Sequence, residues 1–346
     1  MSREPWSRTE TDREPVDTAV GIAVVGDTFV YPRFGVRVIG GCDAGRAWEA
    51  TGPELSIGTA AGNDLELSDP TVSRHHCAIR VTDRGFHLRD LGSTNGVAIG
   101  GLRVESAFLR AGSALKLGAS RVRFDVLVGE RVEPLAPEGR IGRLYGRSAA
   151  MRRLFARLPA IAVTESPVLI EGPTGAGKTA LARAIHEHSR FSCGPLVSIE
   201  CGRFPPGRLI SRSVASALGG TLVIEELGEL DARGQRDLLM LLLGTGVDLR
   251  IIATSGRDVR ADVNRGGFSP ELYARFHHAR VPLPALAERT EDVPLLIGAF
   301  YRELAGSSDA EPPRELIACL ARRPWAGNLR DLRSAVVSAL AAGWPG

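Results

Sequence analysis

One segment constrains the fold of this chain more than any other: a short apolar run that leads into a glycine-rich loop and then into a helical pattern. The run is Val168–Ile170, and the loop Gly172–Thr179 reads GPTGAGKT, which fits the pattern GxxxxGK[ST]. The glycines let backbone N–H groups turn toward phosphate oxygens, and the start of the following helix adds positive potential. A strand, loop and helix in this order predict a nucleotide-binding α/β domain.

The residues of this loop have separate expected roles in binding a nucleotide. Lys178 supplies a compact positive charge for the outer phosphates, and the hydroxyl of Thr179 can bind Mg²⁺. Of the 43 lysine and arginine residues only Lys116 and Lys178 are lysines, so one of the two stands where arginine would fit badly. ATP and Mg²⁺ are therefore the expected cofactors. The predicted nucleotide-binding residues are Gly172, Pro173, Thr174, Gly175, Ala176, Gly177, Lys178 and Thr179.

Two adjacent carboxylates, Glu225 and Glu226, end another apolar run farther along the chain. They follow Gly219–Ile224, one strand and one helix downstream of the loop. Carboxylates at this place can hold Mg²⁺ through its water shell and polarise an attacking water molecule. Because acidic pairs are also common on solvated surfaces, the pair by itself leaves a surface role open, and its distance from the loop favours the hydrolytic one.

From residue 141 onward, apolar runs alternate with helical patterns, as a parallel sheet covered by helices requires. Thr290 is expected to cap a helix that Gly306 ends, and Asn328 is expected to cap another helix with an apolar face. No strand is expected after Ala287, so a helical lid should follow the α/β core. The predicted buried strands are Val168–Ile170, Leu196–Ile199, Thr221–Ile224, Arg250–Ala253 and Arg280–Leu283.

The first part of the chain has a β texture. Between residues 30 and 128, short apolar stretches are separated by Gly, Asp, Asn and Ser at intervals of roughly 8–12 residues, which is typical of an all-β sandwich. Residues 1–19 are poor in large apolar side chains and are predicted to be a disordered tail. Residues 129–140 contain two prolines and are predicted to be the linker between the two parts.

The second half of the chain resembles the AAA+ ATPase domain of sigma-54-dependent transcriptional activators. The resemblance lies in the phosphate loop and in the strings GGTLVIEELGEL, LPALAERTEDVPLL and WAGNLRDL. It implies an AAA+ core over residues 141–287 and a helical lid over residues 288–346. By position, it implies a catalytic carboxylate (Glu226), two metal ligands (Thr179 and Glu225), an arginine that reaches a neighbouring subunit's nucleotide (Arg275) and a sensor arginine on the lid (Arg330).

Several elements of that family are altered here, and together they predict weak hydrolysis. Only 17 residues, 202–218, separate the second strand from Gly219, and the GAFTGA loop that touches the sigma factor does not occur. Glu225 is one methylene longer than the family's aspartate and would crowd Mg²⁺. In related enzymes, an arginine that reaches across subunits can raise the rate of hydrolysis about 10³–10⁵-fold. Three further elements differ: Glu200 stands where the family has asparagine, Ser255-Gly256 where it has Thr-Asn, and Ser269 where it has the first such arginine.

Composition argues against several other classes of function. The 43 basic and 40 acidic residues give a net charge of +3, which is no electrostatic signature of nucleic-acid binding. Only 14 residues follow Leu332, too few for the family's helix-turn-helix, so direct DNA binding is not expected. No apolar run approaches the roughly 18 residues of a membrane span. Because the N-terminus is polar and unlike a signal peptide, we expect a cytoplasmic protein.

Residues 30–128 resemble a forkhead-associated (FHA) domain, a β-sandwich that reads phosphothreonine. The resemblance implies that Ser73, Arg74, Thr94 and Asn95 face the phosphopeptide and that His76 braces the loop from inside. A hydroxyl, a guanidinium and an amide can surround a dianionic phosphate with charge-assisted hydrogen bonds. Since threonine follows Gly58 where the family usually has arginine, a purely structural sandwich is the alternative. The matching strings are Ile57-Gly58, Asn63-Asp64, Asp69-Pro70-Thr71-Val72-Ser73-Arg74-His75-His76 and Asp90-Leu91-Gly92-Ser93-Thr94-Asn95-Gly96.

The tail supplies one candidate ligand for such a domain. Thr9 is followed three residues later by Asp12, a pattern that FHA domains often accept when the threonine is phosphorylated. Phosphorylated Thr9 could dock on the loops of its own domain or of a neighbour's. An unmodified, solvated tail is the alternative.

These features predict a multidomain protein, with an N-terminal all-β FHA-like sandwich followed by an α/β AAA+ core and a C-terminal helical lid. The favoured function is a phosphothreonine-reading, ATP-binding transcriptional regulator that acts without direct DNA binding. Sigma-54 RNA polymerase or related AAA+ activators are candidate partners, and oligomers are expected because AAA+ nucleotide sites lie between subunits. Two alternatives stay open: an active ATPase that remodels a non-sigma target, and a phosphopeptide adaptor whose AAA+ domain is a scaffold.

Overall fold

A computed structural model describes residues 22–82, 84–202, 213–244 and 248–342 of the chain. These residues form two compact units, and the chain passes from the first to the second between Glu133 and Pro134. The predicted disordered tail, with Thr9, and most of the 202–218 segment lie outside the described residues.

The first unit is built from twelve strands in two sheets. The larger sheet has the order β1-β2-β12-β11-β8-β9 with β3 paired to β2, and the smaller sheet has the order β10-β7-β6-β4-β5. The strands are β1 (Ala23–Val25), β2 (Thr28–Gly40), β3 (Ala47–Glu49), β4 (Glu54–Gly58), β5 (Leu65–Glu66), β6 (Cys77–Thr82), β7 (Gly85–Asp90), β8 (Val97–Ile99), β9 (Leu102–Val104), β10 (Ser106–Leu109), β11 (Ala114–Leu117) and β12 (Ser120–Pro134).

Three aromatic rings join the two sheets into the predicted sandwich. Phe34 of β2 and Phe124 of β12 belong to the larger sheet, and Phe86 of β7 belongs to the smaller one. The ring centroids of Phe34 and Phe124 each lie 5.0 Å from that of Phe86, and all three side chains are at most 1% exposed. Ring contacts at this spacing hold the two inner faces together.

The β unit extends beyond the predicted range of 30–128. Strand β1 precedes that range, and β12 continues to Pro134, so half of the predicted linker is strand. Exposed and half-buried residues dominate the last part of β12, which explains why its sequence lacks the apolar content of a buried strand. Proline is tolerated at its end because a terminal position needs no ladder hydrogen bond from the backbone nitrogen.

The second unit contains a five-stranded parallel sheet with the order β16-β17-β18-β15-β19. All five predicted strands are present, and all four residues of β15 are buried, because helices cover a parallel sheet on both faces. The elements in chain order are β13 (Arg140–Ile141), β14 (Leu144–Tyr145), α1 (Ala149–Val163), β15 (Val168–Glu171), α2 (Lys178–Glu187), β16 (Leu196–Glu200), α3 (residues 213–217), β17 (Thr221–Glu225), α4 (Ala232–Leu243), β18 (Arg250–Ser255), α5 (Val259–Asn264), α6 (Pro270–Phe276) and β19 (Arg280–Pro282).

Helix α2 packs on the sheet through an apolar face. Leu181, Ala184 and Ile185 are buried in the core cluster that also holds Ile170 and Ile252. The next polar residue on the packed side is His186, which is 6% exposed and lies 2.8 Å from the hydroxyl of Thr221, whereas His188 is exposed. His186 and His188 therefore point in different directions.

The lid consists of three helices: α7 (Val293–Ala305), α8 (Arg314–Ala321) and α9 (Leu329–Ala341). Their core contains Leu296, Leu316, Leu332 and Val336. Asn328 occupies the N-cap position of α9 as predicted, but its side chain makes no capping hydrogen bond to the helix. The expected cap at Thr290 is wrong: Thr290–Asp292 is a 3-10 turn, and α7 begins at Val293 with a proline as its second residue. Proline is tolerated only in the first turn of an α-helix, so the helix begins later than the sequence suggested.

Within the described residues, no helix is both long and apolar enough to span a bilayer. The same residues contain no group of three or more His, Cys, Asp or Glu side chains that could hold a metal ion. All five cysteines are free.

Candidate functional sites

The glycine-rich loop joins β15 to α2, as the sequence predicts, and carries its residues to the carboxyl edge of the sheet. Gly175 and Gly177 have φ values of 78° and 108°. A side chain at Gly175 would also collide with the carbonyl oxygen of Gly327, so the loop needs glycine there for conformation and for space. Helix α2 begins at Lys178, and its N-terminus therefore points at the centre of the loop.

Lys178 is 7% exposed, and its ammonium group reaches back to the start of the loop. Its Nζ donates to the carbonyl oxygen of Gly172 at 2.9 Å and forms an ion pair with Oε1 of Glu226 at 3.1 Å. The side chain of the next residue, Thr179, is exposed. The loop thus presents a buried ammonium group beside an accessible hydroxyl.

The two adjacent carboxylates at the end of β17 point to different partners. Glu226 leaves the strand with φ 55° and ψ 54°, a left-handed conformation that is uncommon for a residue other than glycine. This turn aims its carboxylate at Lys178, and its Oε2 accepts a hydrogen bond from the backbone N–H of Gly256 at 2.8 Å. Glu225 instead accepts a hydrogen bond at 2.6 Å from the hydroxyl of Ser198, on the neighbouring strand β16.

Four glutamates interact with the thiol of Cys201 at this edge of the sheet. Burial and then the charges of four nearby glutamates raise its pKa to about 12. The charges of the glutamates, unlike burial, oppose a thiolate but attract a cation. The four glutamates are Glu226, Glu229, Glu200 and Glu225.

The base of the loop is braced by another ion pair, between Glu171 and Arg280. Oε2 of Glu171 accepts from Nη2 and Nε of Arg280 at 2.6 and 2.9 Å, and its Oε1 accepts from the backbone N–H of Val259 at 3.1 Å. Glu171 ends β15, so this two-bond pair fixes the direction in which the chain enters the loop.

Three consecutive carbonyl oxygens on the loop are bound from the lid side. The side-chain amide of Asn328 donates to Thr174 at 2.9 Å, the backbone N–H of Leu329 donates to Gly175 at 3.0 Å, and Nη2 of Arg289 donates to Ala176 at 2.7 Å. Sequence reasoning assigned no role to Arg289 and only a helix cap to Asn328. Their positions in the strings ERTED and WAGN were the only available signal.

The two arginines proposed from the family resemblance lie in different places. Arg330 is exposed and follows Leu329, whose backbone N–H donates to the carbonyl oxygen of Gly175. It stands beside the loop, because a Cβ atom added to Gly175 would lie 3.4 Å from the Cβ of Arg330. Arg275 is exposed in the last turn of α6. Ser269 caps that helix by accepting from the backbone N–H of Leu272.

In the first unit, the structure brings the four proposed phosphopeptide-binding residues onto two joined loops. The hydroxyl of Ser73 accepts a hydrogen bond at 3.0 Å from the backbone N–H of Thr94. Asn95 donates from Nδ2 to the carbonyl oxygen of Thr71 at 2.7 Å. The side chains of Arg74, Thr94 and Asn95 are exposed, so the two loops present a guanidinium, a hydroxyl and an amide together.

His76 braces these loops from inside, as expected. It is completely buried, its Nδ1 accepts from the backbone N–H of Ser73 at 3.0 Å, and its Nε2 lies 3.1 Å from the carbonyl oxygen of Gly96. Both contacts require a neutral ring protonated on Nε2. Burial lowers the pKa of His76 and favours that form, against the opposing effects of the Gly96 contact and of Asp90 and Asp69.

Asp69 supports the same loop from its start. It is 3% exposed and accepts hydrogen bonds from the hydroxyl and the backbone N–H of Thr71, from the hydroxyl of Ser120 and from the backbone N–H of Ala119. Burial alone would raise the pKa of Asp69, but these hydrogen bonds outweigh it and the pKa is lowered. The carboxylate is therefore held in its charged form.

Gly58 and Asn63 support the loop from the side. A side chain on Gly58 would collide with the carbonyl oxygen of Arg74, so only glycine permits this approach. The amide of Asn63 donates to the same carbonyl at 2.8 Å. Thr59, at the position where the family usually has arginine, donates its backbone N–H to the carbonyl of Ser73 at 3.1 Å.

Three family models match this chain. Residues 55–118 match the FHA domain, residues 145–286 match the sigma-54 interaction domain, and residues 287–343 match the AAA+ ATPase lid domain. The chain therefore combines an FHA domain with a sigma-54 interaction domain of the AAA+ type and its lid.

Curated relatives of the chain are transcriptional regulators. The transcriptional regulatory protein ZraR of Escherichia coli (strain K12) is 32% identical over 229 residues, which cover 57% of this chain and 52% of that protein. The C4-dicarboxylate transport transcriptional regulatory protein DctD of Pseudomonas aeruginosa is 35% identical over 227 residues, 56% of this chain and 49% of that protein. The chain thus spans about half the length of these relatives.

Solved structures of NtrX from Brucella abortus resemble more than half of the chain. The complex with ADP has a TM-score of 0.52 and 30% identity, and covers 58% of this chain and 52% of that one. The complex with ATP has a TM-score of 0.53 and 30% identity, and covers 60% of this chain and 55% of that one.

Proposed function

We propose that this chain, which carries an FHA domain followed by a sigma-54 interaction domain and its lid, is a transcriptional regulator that binds ATP and recognises phosphothreonine. The observation that carries the proposal is the buried Lys178 of a glycine-rich loop, 3.1 Å from a carboxylate that can act on a bound phosphate or water. The NtrX complexes with ADP and ATP support the nucleotide.

The residues around the loop fit ATP and Mg²⁺. Backbone N–H groups of Gly175 and of residues 177–179, in the loop and at the start of α2, suit phosphate oxygens, and Lys178 adds the positive charge. The exposed hydroxyl of Thr179 and the carboxylate of Glu225 would hold Mg²⁺, and the negative potential around Cys201 favours a cation. When bound, Mg²⁺ would neutralise charge that builds up on the outer phosphates.

Hydrolysis is proposed to be weak. Glu226 would act as the base that accepts a proton from the attacking water, while Arg275 and Arg330 would stabilise charge on the phosphates. Gly256, beside Glu226, contributes a backbone N–H and has no side chain to orient water. Ser269 has no guanidinium and instead caps α6.

Phosphothreonine recognition is proposed for the two loops that hold Ser73 and Thr94. Arg74 would pair with the phosphate, and the hydroxyls and the Asn95 amide would complete the hydrogen bonds. Support comes from the braced geometry of these loops, in which the buried contacts leave the exposed side chains available.

Regulation is proposed to proceed through protein partners. The near-neutral balance of 43 basic and 40 acidic residues argues against binding DNA through charge. Sigma-54 RNA polymerase and related AAA+ activators are the proposed partners, with homo- or hetero-oligomers formed through the AAA+ part in the cytoplasm.

Phosphorylated Thr9 is proposed as one FHA ligand. If Thr9→Ala leaves the kinase-treated protein unchanged in peptide binding and oligomeric size, that ligand is wrong.

The test of the main proposal is ATP binding and ATP turnover on one preparation each of wild type, Lys178→Ala and Glu226→Gln. We expect binding that Lys178→Ala abolishes, and turnover no faster than in Glu226→Gln. Turnover of about 1 s⁻¹ per subunit, within the usual enzyme range, would instead support an active ATPase that remodels another target. Wild-type protein that binds no nucleotide would favour a phosphopeptide adaptor.

A further inference from the structure

The contacts between the lid and the phosphate loop involve three neighbouring peptide units. The carbonyl oxygens of Thr174, Gly175 and Ala176 each accept one hydrogen bond, and all three donors come from residues after 288. In a peptide unit the carbonyl of one residue and the N–H of the next point in opposite directions. Holding the carbonyls of Thr174 and Ala176 toward the lid therefore turns the N–H groups of Gly175 and Gly177 away from it.

Asn328 connects the loop to the point where the lid leaves the core. Its Nδ2 donates to Thr174, and its Oδ1 accepts from the backbone N–H of Leu286 at 2.8 Å. The residue is 4% exposed and has φ 57° and ψ −133°, a backbone conformation that is rare for residues other than glycine. One side chain thus fixes three segments: the loop, the residue that enters the lid and the start of α9.

Arg289 is the second such residue. It is 2% exposed, it donates to Ala176 at 2.7 Å, and its Nε has no hydrogen-bond partner within the described part of the chain. Burial lowers the pKa of Arg289 despite the nearby charges of Asp292 and Glu288. Burial of a guanidinium costs free energy of folding, and this cost indicates that Arg289 does more than pack against the loop.

The segment that carries Arg289, residues 286–292, is also fastened to the core at its far end. We call it the lid hinge. The buried carboxylate of Asp292 accepts from the backbone N–H groups of Arg147 and Ser148, at 2.6 and 2.7 Å, and from the hydroxyl of Ser148 at 2.8 Å. The hinge is held firmly at that end, which leaves Arg289 and Asn328 as the side chains that transmit its position to the loop.

We propose that Arg289 and Asn328 are positioning residues for nucleotide binding: they hold the phosphate loop in its binding shape, so that displacement of the lid hinge disorders the loop and lowers nucleotide affinity. This inference rests on the proposed binding of ATP. Neither side chain need touch the nucleotide, because each acts on the backbone that does.

Two substitutions and one matched control test the proposal. Asn328→Asp has nearly the same shape and retains an acceptor for Leu286, but it loses the donor to Thr174. Arg289→Lys retains the charge, but its ammonium group is one bond closer to the backbone than Nη2 and is expected to lose the contact with Ala176. The control is Arg250→Lys, because Arg250 is also 2% exposed and also donates to backbone carbonyls, those of Ala162 and Ile161, with no contact to the loop.

The first readout is calorimetric titration with ADP and Mg²⁺. We expect Asn328→Asp and Arg289→Lys to bind ADP about tenfold more weakly than wild type, which corresponds to the loss of one well-placed hydrogen bond. Arg250→Lys should melt at a lower temperature and bind ADP as wild type does. Variants that melt lower but retain wild-type affinity would show that the contacts are merely structural, and would overturn the proposal.

The second readout is amide hydrogen exchange in the absence of nucleotide. Exchange over residues 174–179 should be faster in Asn328→Asp and Arg289→Lys than in wild type and Arg250→Lys. Because no phosphate is present, repulsion between the carboxylate introduced by Asn328→Asp and a phosphate cannot affect this comparison. Unchanged exchange in the loop would overturn the proposal even if affinity fell. Wild-type protein that fails to bind ADP would refute the proposed function, while the exchange data would still decide whether the lid shapes the loop.

Discussion

Lys178 and Glu226 form an ion pair of 3.1 Å, so the residue proposed to bind phosphate and the residue proposed to activate water neutralise each other in the structure. Lys178 is almost completely buried, whereas about a third of the Glu226 side chain is exposed. A phosphate that approaches Lys178 therefore meets a carboxylate that already pairs with the same charge and must be displaced.

Replacing this carboxylate should separate binding from turnover. In Glu226→Gln, we expect ADP and ATP to bind roughly two- to tenfold more tightly, because the competing anion is removed, while any ATP turnover is lost. Titration with each nucleotide and a phosphate-release assay measure the two effects. Weaker binding by Glu226→Gln would mean that the carboxylate supports the loop more than it competes for Lys178.

The two lysines of the chain provide a matched pair of substitutions. Lys178→Ala should weaken ATP binding at least about thirtyfold, because a buried charge-assisted contact to phosphate is lost. Lys116→Ala removes an exposed lysine on β11 of the other unit and should leave the affinity unchanged. Equal affinities in the two variants would remove the basis for a phosphate site at this loop.

Arg74 should be required for binding a phosphothreonine peptide. We expect Arg74→Ala to weaken binding of a threonine-phosphorylated peptide at least about tenfold, and the unphosphorylated peptide to bind neither protein. Arg84→Ala is the control, because Arg84 is an exposed arginine at the opposite end of β6 from the loop. Fluorescence anisotropy with both peptides measures the affinities, and loss of binding only in Arg84→Ala would place the site elsewhere.

The buried His76 predicts a pH dependence of stability. Burial lowers its pKa from the ordinary 6.5, so the unfolded state takes up a proton first as the pH falls. The contribution of His76 to the free energy of unfolding is therefore fully present above pH 6.5, and decreases as the pH falls from 6.5 toward the lower pKa of the folded state. NMR of the ring nitrogens should show a neutral ring protonated on Nε2 at pH 6.5, and a half-protonated ring at that pH would contradict the assignment.

The sheet and the loop of the second unit could be predicted because their signals are local. All five parallel strands are short apolar runs bounded by turns or helices, and the burial of all four residues of β15 explains why its run is continuous. In the first unit, β3, β5, β8 and β9 have two or three residues each, too few for an alternating pattern to stand out.

The arrangement within the nucleotide site could not be predicted in the same way. Glu225 and Glu226 are identical neighbours in the sequence, and only the left-handed backbone at Glu226 sends one to Lys178 and the other to Ser198. The bond between Asn328 and Thr174 joins residues 154 positions apart, and no periodic pattern links them. Long-range hydrogen bonds of this kind depend on the packing of the lid, which single residues do not encode.

The loop that carries Ser73 and Arg74 is fixed from below by Asp69 and His76 and from the side by Asn63. A phosphopeptide that binds there, as proposed, would meet a surface already in one shape, so the protein would lose little conformational entropy on association. The association rate should then depend on how often the two collide in the right orientation, without a slower rearrangement afterwards. A rigid surface of this kind would bind only ligands that already match its shape, because it does not rearrange around others.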